Sequence, residues 1–215
     1  RVSFLPHSLQ AVPEWPIVYW WSGDMFALYA SLPKIRDSFP VLKGLTTCNN
    51  VRFVRLAWEV RGHEIRQRMV DRTPPSATER QDLFARSRWV PWVDGADGMS
   101  WFQDLGTVLN WRNRGWEIAL APSNRYGRGE DKYFEAGIAF SMIGSGFTAR
   151  AHRFLSIIGN KGSSVFCPDV PRVLAMMNSD RARSIMSSLN PGIGFEVGDV
   201  VRLPLFPIAS SDEIF

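Results

Sequence analysis

Two groups of side chains have the types and spacing to grip a polyanion and read hydrogen-bonding edges. The first is Thr47, Asn49, Asn50, Arg52 and Arg55, gathered in one short stretch. An amide pairs with adjacent groups on adenine, and a guanidinium fork with guanine or phosphate; each well-formed base pairing discriminates by about 1–3 kcal/mol. The second group is Ser145, Thr148, Arg150 and Arg153, beside Gly144 and Gly146, which lack a Cβ and permit close backbone approach. Each group also has a structural reading. Asn50 capping a turn and Arg52 in an ion pair would account for the first. A twisted hairpin with solvated arginines would account for the second. Arg66, Arg68 and Arg72 suit phosphates or solvent better than bases, which gives salt-sensitive affinity without sequence choice.

Other chemistries are poorly represented, and no catalytic residue is assigned. His7, His63 and His152 lie far apart, without a His-x-x-x-His or Cys-x-x-Cys spacing, so no metal site is expected. There is no Gly-x-Ser-x-Gly elbow, and Gly144-Ser145-Gly146 has the wrong spacing. Gly159-Asn160-Lys161-Gly162-Ser163-Ser164 is not a Walker loop and reads as a tight turn. Adenine-N6 methylation needs an Asn/Asp-Pro-Pro-Tyr/Phe loop to hold a flipped base. The one Asn-Pro here, Asn190-Pro191, runs into Gly192-Ile193 and reads as a helix stop. Methyl-transfer machinery is therefore not expected in this chain, nor is a nucleophile–base pair for hydrolysis.

Composition sets the frame. The chain has 215 residues, 45% of them hydrophobic and 21% charged, the balance of a folded protein. Its 25 basic residues include only Lys34, Lys43, Lys132 and Lys161 as lysines, so arginine dominates. That suits nucleic acid, although a GC-rich genome also exchanges Lys for Arg, and composition alone does not decide. Cys48 and Cys167 are too few for a disulfide framework, which fits a reducing cytoplasm. No apolar run approaches the roughly eighteen residues that a membrane span needs. The start at Arg1, without Met, reads as that of a fragment of a larger protein.

The elements that must position these side chains read as one α+β domain over 1–215, with a twisted, mostly antiparallel sheet and a C-terminal helix pair. Ser22 is a good N-cap, and Met25, Phe26, Leu28, Tyr29 and Leu32 recur at helical spacing, predicting a helix over about 22–31. Residues 51–60 suit a strand or a helix start. Segment 52–88 carries more arginines than acids and is broken by Thr73-Pro74-Pro75-Ser76, so a basic mobile loop is expected over about 61–88. Short strands are expected at Trp89-Val90-Pro91-Trp92, at Val108-Leu109-Asn110-Trp111 and within 133–166. Residues 171–189 predict two helices split at Asn178-Ser179, with Ser179 capping the second. The nine Trp are expected mainly in the core, at most one of them reaching a base.

Several blocks resemble a known family. Pro13-Glu14-Trp15-Pro16-Ile17-Val18-Tyr19-Trp20 is similar to its Pro-Gly-x-Pro-Ile-Ala-Tyr-Trp. Gly44-Leu45-Thr46-Thr47-Cys48-Asn49-Asn50-Val51-Arg52-Phe53-Val54-Arg55 is similar to its Gly-Leu-x-Thr-Gly-Asp-Asn-x-Arg-Phe-x-Arg. Arg88-Trp89-Val90-Pro91-Trp92, Val108-Leu109-Asn110-Trp111, Ser145-Gly146-Phe147-Thr148-Ala149-Arg150 and Leu189-Asn190-Pro191-Gly192 follow in the family's order. The family is that of the PglX-type adenine-specific DNA methyltransferases of BREX phage defence, with their Eco57I-like restriction–modification relatives. Departures include Cys48 where the family has Gly, Asn49 where it has Asp, and Ala139-Phe140 in place of Thr-Trp.

The resemblance implies a target-recognition region, with double-stranded DNA as partner. Thr47, Asn49, Asn50, Arg52, Arg55, Ser145, Thr148, Arg150 and Arg153 would be its contacts. Catalysis and S-adenosylmethionine would belong to a methyltransferase domain of the same parent protein, and this chain itself would need no cofactor. The alternative is a protein-interaction module in which the aromatic N-terminal stretch docks other defence-system subunits.

Overall fold

A computed structural model describes residues 6–70, 75–95, 101–144, 146–208, 210 and 213, with the side chains of residues 6–8 excepted. The N-terminal third packs by capping and aromatic burial. The Ser22 hydroxyl accepts from the Met25 backbone N–H and starts α1 (Gly23–Ser31), which buries Phe26 and Tyr29. Lys34 closes it, donating Nζ to the carbonyls of Tyr29 at 2.5 Å and Leu32 at 2.6 Å. A short α2 (Ile35–Ser38) leads to β1 (Val41–Leu42), and α3 (Asn50–Phe53) runs directly into β2 (Val54–Leu56). Residues 51–60 thus contain both the helix start and the strand that their pattern allowed.

The stretch expected as a mobile basic loop largely folds, and its arginines pair with acids of the segment and with Glu135. Ser76 caps α4 (Ala77–Arg86) by accepting from the Glu79 N–H. Arg68 pairs with Glu79 at 2.9 Å, Arg80 with Glu135 at 2.9 Å, Arg88 with Glu64 at 2.6 Å, and Arg66 with Asp82. Ile65 and Met69 bridge to Trp89 and Phe154. Residues 71–74, which hold Arg72 and the start of the proline break, lie outside the described residues.

The remaining strands are β3 (Trp89–Val93), β4 (Trp101–Gln103), β5 (Thr107–Asn110), β6 (Ile138–Phe140), β7 (Ala149–His152), β8 (Ile157–Ile158) and β9 (Ser164–Val165). They form two sheets, ordered β1-β9-β6-β7-β4 and β2-β5-β3-β8. Pairing is antiparallel except between β4 and β7 and between β3 and β8, as expected for a mostly antiparallel α+β fold. Between β5 and β6 stands α5 (Arg112–Ala119), and the chain closes with α6 (Val170–Met177), α7 (Asp180–Leu189) and a short α8 (Val197–Val200). The expected helix pair divides at Asn178-Ser179, with the Ser179 hydroxyl accepting from the Ala182 N–H.

Successive side chains of a strand point to opposite faces, and β6 uses both. Ile138 and Phe140 join the core beneath α1, α6 and α7, while Ala139 joins the core containing Trp92, Trp111 and Tyr133. The inner strands β6 and β7 are buried on both faces, which joins the two cores in one domain. Only Trp21, Trp89, Trp92 and Trp111 are core; Trp15, Trp20, Trp58, Trp101 and Trp116 are exposed, against the expectation for most of them.

Candidate functional site

The first group of expected contacts folds into one compact turn. Gly44 and Leu45 dock on β8 through Gly44 N–H to the Gly159 carbonyl and Leu45 N–H to the Ile158 carbonyl. The approach is so close that a Cβ on Gly44 would lie 1.8 Å from the Ile158 oxygen. Thr47 is buried; its hydroxyl donates to Asn50 Oδ1 and accepts from the Asn49 N–H at 3.2 Å. Asn49, rather than Asn50, caps α3, accepting from the Arg52 N–H at 3.0 Å. Cys48 sits between them at φ 54°, with its thiol donating to the Ser123 carbonyl.

The arginines of this turn differ in availability. Arg55 donates Nη1 to the Val51 carbonyl at 2.6 Å and to the Val54 carbonyl at 2.7 Å, closing the end of α3. Arg52 is exposed, lies over the Phe53 ring and pairs with Glu117 of α5. Together with Thr47, Cys48, Asn49, Leu120, Ala121 and Pro122, Arg52, Phe53 and Glu117 line an open depression of about 400 Å³, and Arg55 lies outside it. Buried Phe53 anchors its floor to the core. The depression therefore presents one guanidinium and an amide-bearing turn, with Leu120 and Val51 as exposed apolar neighbours.

The second group does not assemble into a surface. Arg150 is 0% exposed, donating Nε to the Gln103 side-chain oxygen and Nη2 to the Asp94 carbonyl at 2.6 Å. Burial pulls its pKa down to about 10, partly offset by the Asp94 and Asp104 carboxylates. It is an interior cation, inaccessible to a phosphate or a base edge. Thr148 is half-buried, and its backbone N–H donates to Ser141 Oγ at 3.0 Å. Arg153 is exposed, and its carbonyl accepts from the Val70 N–H. Ser145 lies outside the described residues. For Arg150 the physical reason is that β7 is an inner strand flanked by β6 and β4, so its residues are buried from both faces.

Sequence reasoning passed over α5. Its first turn exposes Arg112, Asn113 and Arg114, and its second exposes Trp116 beside Glu117. The run Arg112-Asn113-Arg114-Gly115 directly after a strand was the available signal, since two arginines flanking Asn before Gly suit a protruding turn. One further close polar pair, His152 Nε2 and Ser164 Oγ at 2.9 Å, is enclosed in the core. Burial lowers the His152 pKa to about 4, which keeps the ring neutral. Among the described residues no group of three or more His, Cys, Asp or Glu is placed to hold a metal ion, and no helix is long and apolar enough to cross a membrane.

No family model matches the chain. Its sequence is similar to that of a bacterial adenine-specific methyltransferase, which supports a relation to that group of enzymes. The relative is adenine-specific methyltransferase PglX of Lacticaseibacillus casei (strain Zhang), 29% identical over 211 residues that take in 92% of this chain. The chain spans 17% of the length of that relative.

Proposed function

We propose that this chain is the duplex-DNA target-recognition domain of a site-specific adenine-N6 DNA methyltransferase of phage defence or restriction–modification. The reading rests on the depression beside α3, lined by exposed Arg52 and Asn49 on a turn that is anchored to β8 and also carries Asn50. Likeness to an adenine-specific methyltransferase supplies the context. In this reading S-adenosylmethionine and the transfer step belong to another domain of a longer cytoplasmic protein. The present domain grips the double helix while that domain takes the flipped base.

The test is fluorescence anisotropy of labelled duplexes with the 215-residue chain at several salt concentrations. Binding is expected to weaken steeply with salt, as counterion release requires, and to fall with Arg52→Ala. No binding to any duplex at low salt by folded protein would overturn the reading.

A second reading draws on the N-terminal stretch, where Trp15, Ile17, Tyr19 and Trp20 are all exposed. An apolar aromatic patch of this kind suits docking to another protein. Salt-insensitive association with a protein partner, together with Arg52→Ala and Arg55→Ala silent toward DNA, would favour it.

A further inference from the structure

A second depression, of about 290 Å³, lies between the C-terminal end of α4 and the start of α5, lined by Ala85, Arg86, Ser87, Arg88, Arg112 and Asn113. The β3–β5 ladder fixes its walls. Trp89 stands opposite Asn110, and the Trp111 backbone N–H donates to the Arg88 carbonyl at 2.7 Å. Arg88 and Arg112 therefore leave the sheet as neighbours, although far apart in sequence.

Charge in this region is only partly balanced. Glu64 pairs with Arg88, and Asp82 pairs with both Arg66 and Arg86. Arg112 is exposed and pairs with no carboxylate among the described residues. Three guanidinium groups thus share two carboxylates, and the fourth, that of Arg112, adds to the surplus. The C-terminal dipole of α4 disfavours an anion here. Its effect is lessened because the Trp111 indole N–H donates to the Phe84 carbonyl at 3.1 Å, and full cationic charges outweigh the remainder.

Two further observations point to a ligand. Ser87 is 3% exposed, yet its buried hydroxyl has no hydrogen-bond partner among the described residues, an unfavourable state unless a group entering the depression meets it. From the lining residue Asn113 the backbone takes an uncommon form: Asn113, Arg114 and Gly115 have φ of 53°, 60° and 69° in succession. Left-handed backbone at consecutive non-glycine residues is unfavourable, and such strain concentrates where a ligand is held. It is braced here by Gly115 N–H to the Trp111 carbonyl at 3.1 Å and by the Tyr126 hydroxyl to the Arg114 carbonyl at 2.5 Å.

We propose that this depression binds a phosphoryl group, gripped by Arg112 and Arg88, with the Ser87 hydroxyl as a further donor. Guanidinium forks match phosphate oxygens in pairs. The site itself stands on these residues; that its phosphate comes from the backbone of duplex DNA rests on the recognition reading above. A backbone contact here would fix the register of the domain on the helix without reading sequence.

The test uses the 215-residue chain and Arg112→Gln, an exposed position where circular dichroism checks folding. Duplex anisotropy across salt concentrations is paired with titration of inorganic phosphate, followed at the Ser87, Arg88 and Asn113 amide resonances. Expected for Arg112→Gln is about tenfold weaker duplex binding whatever the sequence. The slope of log affinity against log salt should shrink by about 0.9. Phosphate should shift the three amides in the unaltered chain and not in the variant. Phosphate shifts without duplex binding would support the site with free phosphate as its source, and would overturn the recognition reading. Duplex binding that falls with Arg52→Ala but ignores Arg112→Gln, with the amides unmoved by phosphate, would overturn this site and leave the recognition reading standing. Neither duplex nor phosphate binding would overturn both.

Discussion

Arg52 and Glu117 close the lip of the depression beside α3, Nη2 to Oε2 at 3.1 Å, on side chains 59% and 53% exposed. A pair this open to water contributes only about 0–1 kcal/mol. A phosphate arriving at Arg52 therefore displaces little, but it must approach past the Glu117 carboxylate. Glu117→Gln is expected to raise duplex affinity several-fold while changing stability by less than ~0.5 kcal/mol. Anisotropy and urea denaturation of the same samples check the two halves.

Arg150 carries the opposite expectation. It is enclosed between Gln103 and the Asp94 carbonyl, so its removal is a matter of stability and not of binding. Arg150→Met leaves those acceptors without their donor, at a cost of about 1–3 kcal/mol, while relieving the burial of a cation. Urea denaturation should show the loss. The salt slope of duplex binding should remain that of the unaltered chain, and a change in that slope would return Arg150 to the list of DNA contacts.

What was legible in the sequence is what local chemistry decides. Ser22 and Ser179 cap helices because a hydroxyl two or three residues ahead of free N–H groups has no better partner. Ser76 and Glu79 offered the same signal for α4, obscured by the adjacent prolines. The basic surplus misled because the pairings that offset it do not follow sequence order: Glu64 with Arg88 and Glu79 with Arg68 inside the segment, and Glu135 with Arg80 from outside it. Arg150 could not be read as interior from its neighbours, since Gln103 reaches it through the parallel β4–β7 pairing and the Asp94 carbonyl from just beyond the end of β3. The 44–55 turn is legible as a unit, yet Thr47, Asn49, Arg55 and the Asn50 side-chain oxygen bond within it, which leaves the Arg52 guanidinium as its main outward polar group.

His152 makes stability depend on acid. In the unfolded chain its ring takes a proton near pH 6.5, whereas in the fold burial holds it neutral down to about pH 4. Between those values the unfolded state binds the extra proton, so stability is full above about 6.5 and falls as pH drops toward 4. The loss from this residue amounts to roughly 3 kcal/mol at most. His152→Gln keeps a donor for Ser164 and removes the titration. Thermal melts from pH 7 to pH 4 should decline less steeply for that variant than for the unaltered chain.

Cys48 occupies a position that suits glycine. At φ 54° its side chain crowds the backbone, a cost of about 1–2 kcal/mol for most residues. Glycine removes that cost but adds freedom to the unfolded chain. Cys48→Gly should therefore gain about 0.5–1 kcal/mol in urea denaturation. Cys48→Ala, which keeps the Cβ, should gain nothing. Equal midpoints for the two variants would show that the turn is not strained.

Gly115 is the pivot on which the left-handed turn of α5 depends. Its φ is 69°, and a Cβ there would meet the Trp111 ring at 2.6 Å, while that ring is fully buried and stacked on Tyr126. Neither the ring nor the turn has room to yield. Gly115→Ala adds left-handed strain to overpacking and is expected to cost about 2–4 kcal/mol. The same change should displace Arg112 and Asn113, since the Gly115 N–H to Trp111 carbonyl bond sets their path. Weaker duplex binding at a temperature where the variant remains folded, with a salt slope reduced as in Arg112→Gln, would tie the turn to the arginine it presents. An unchanged slope would mean that the turn serves packing alone.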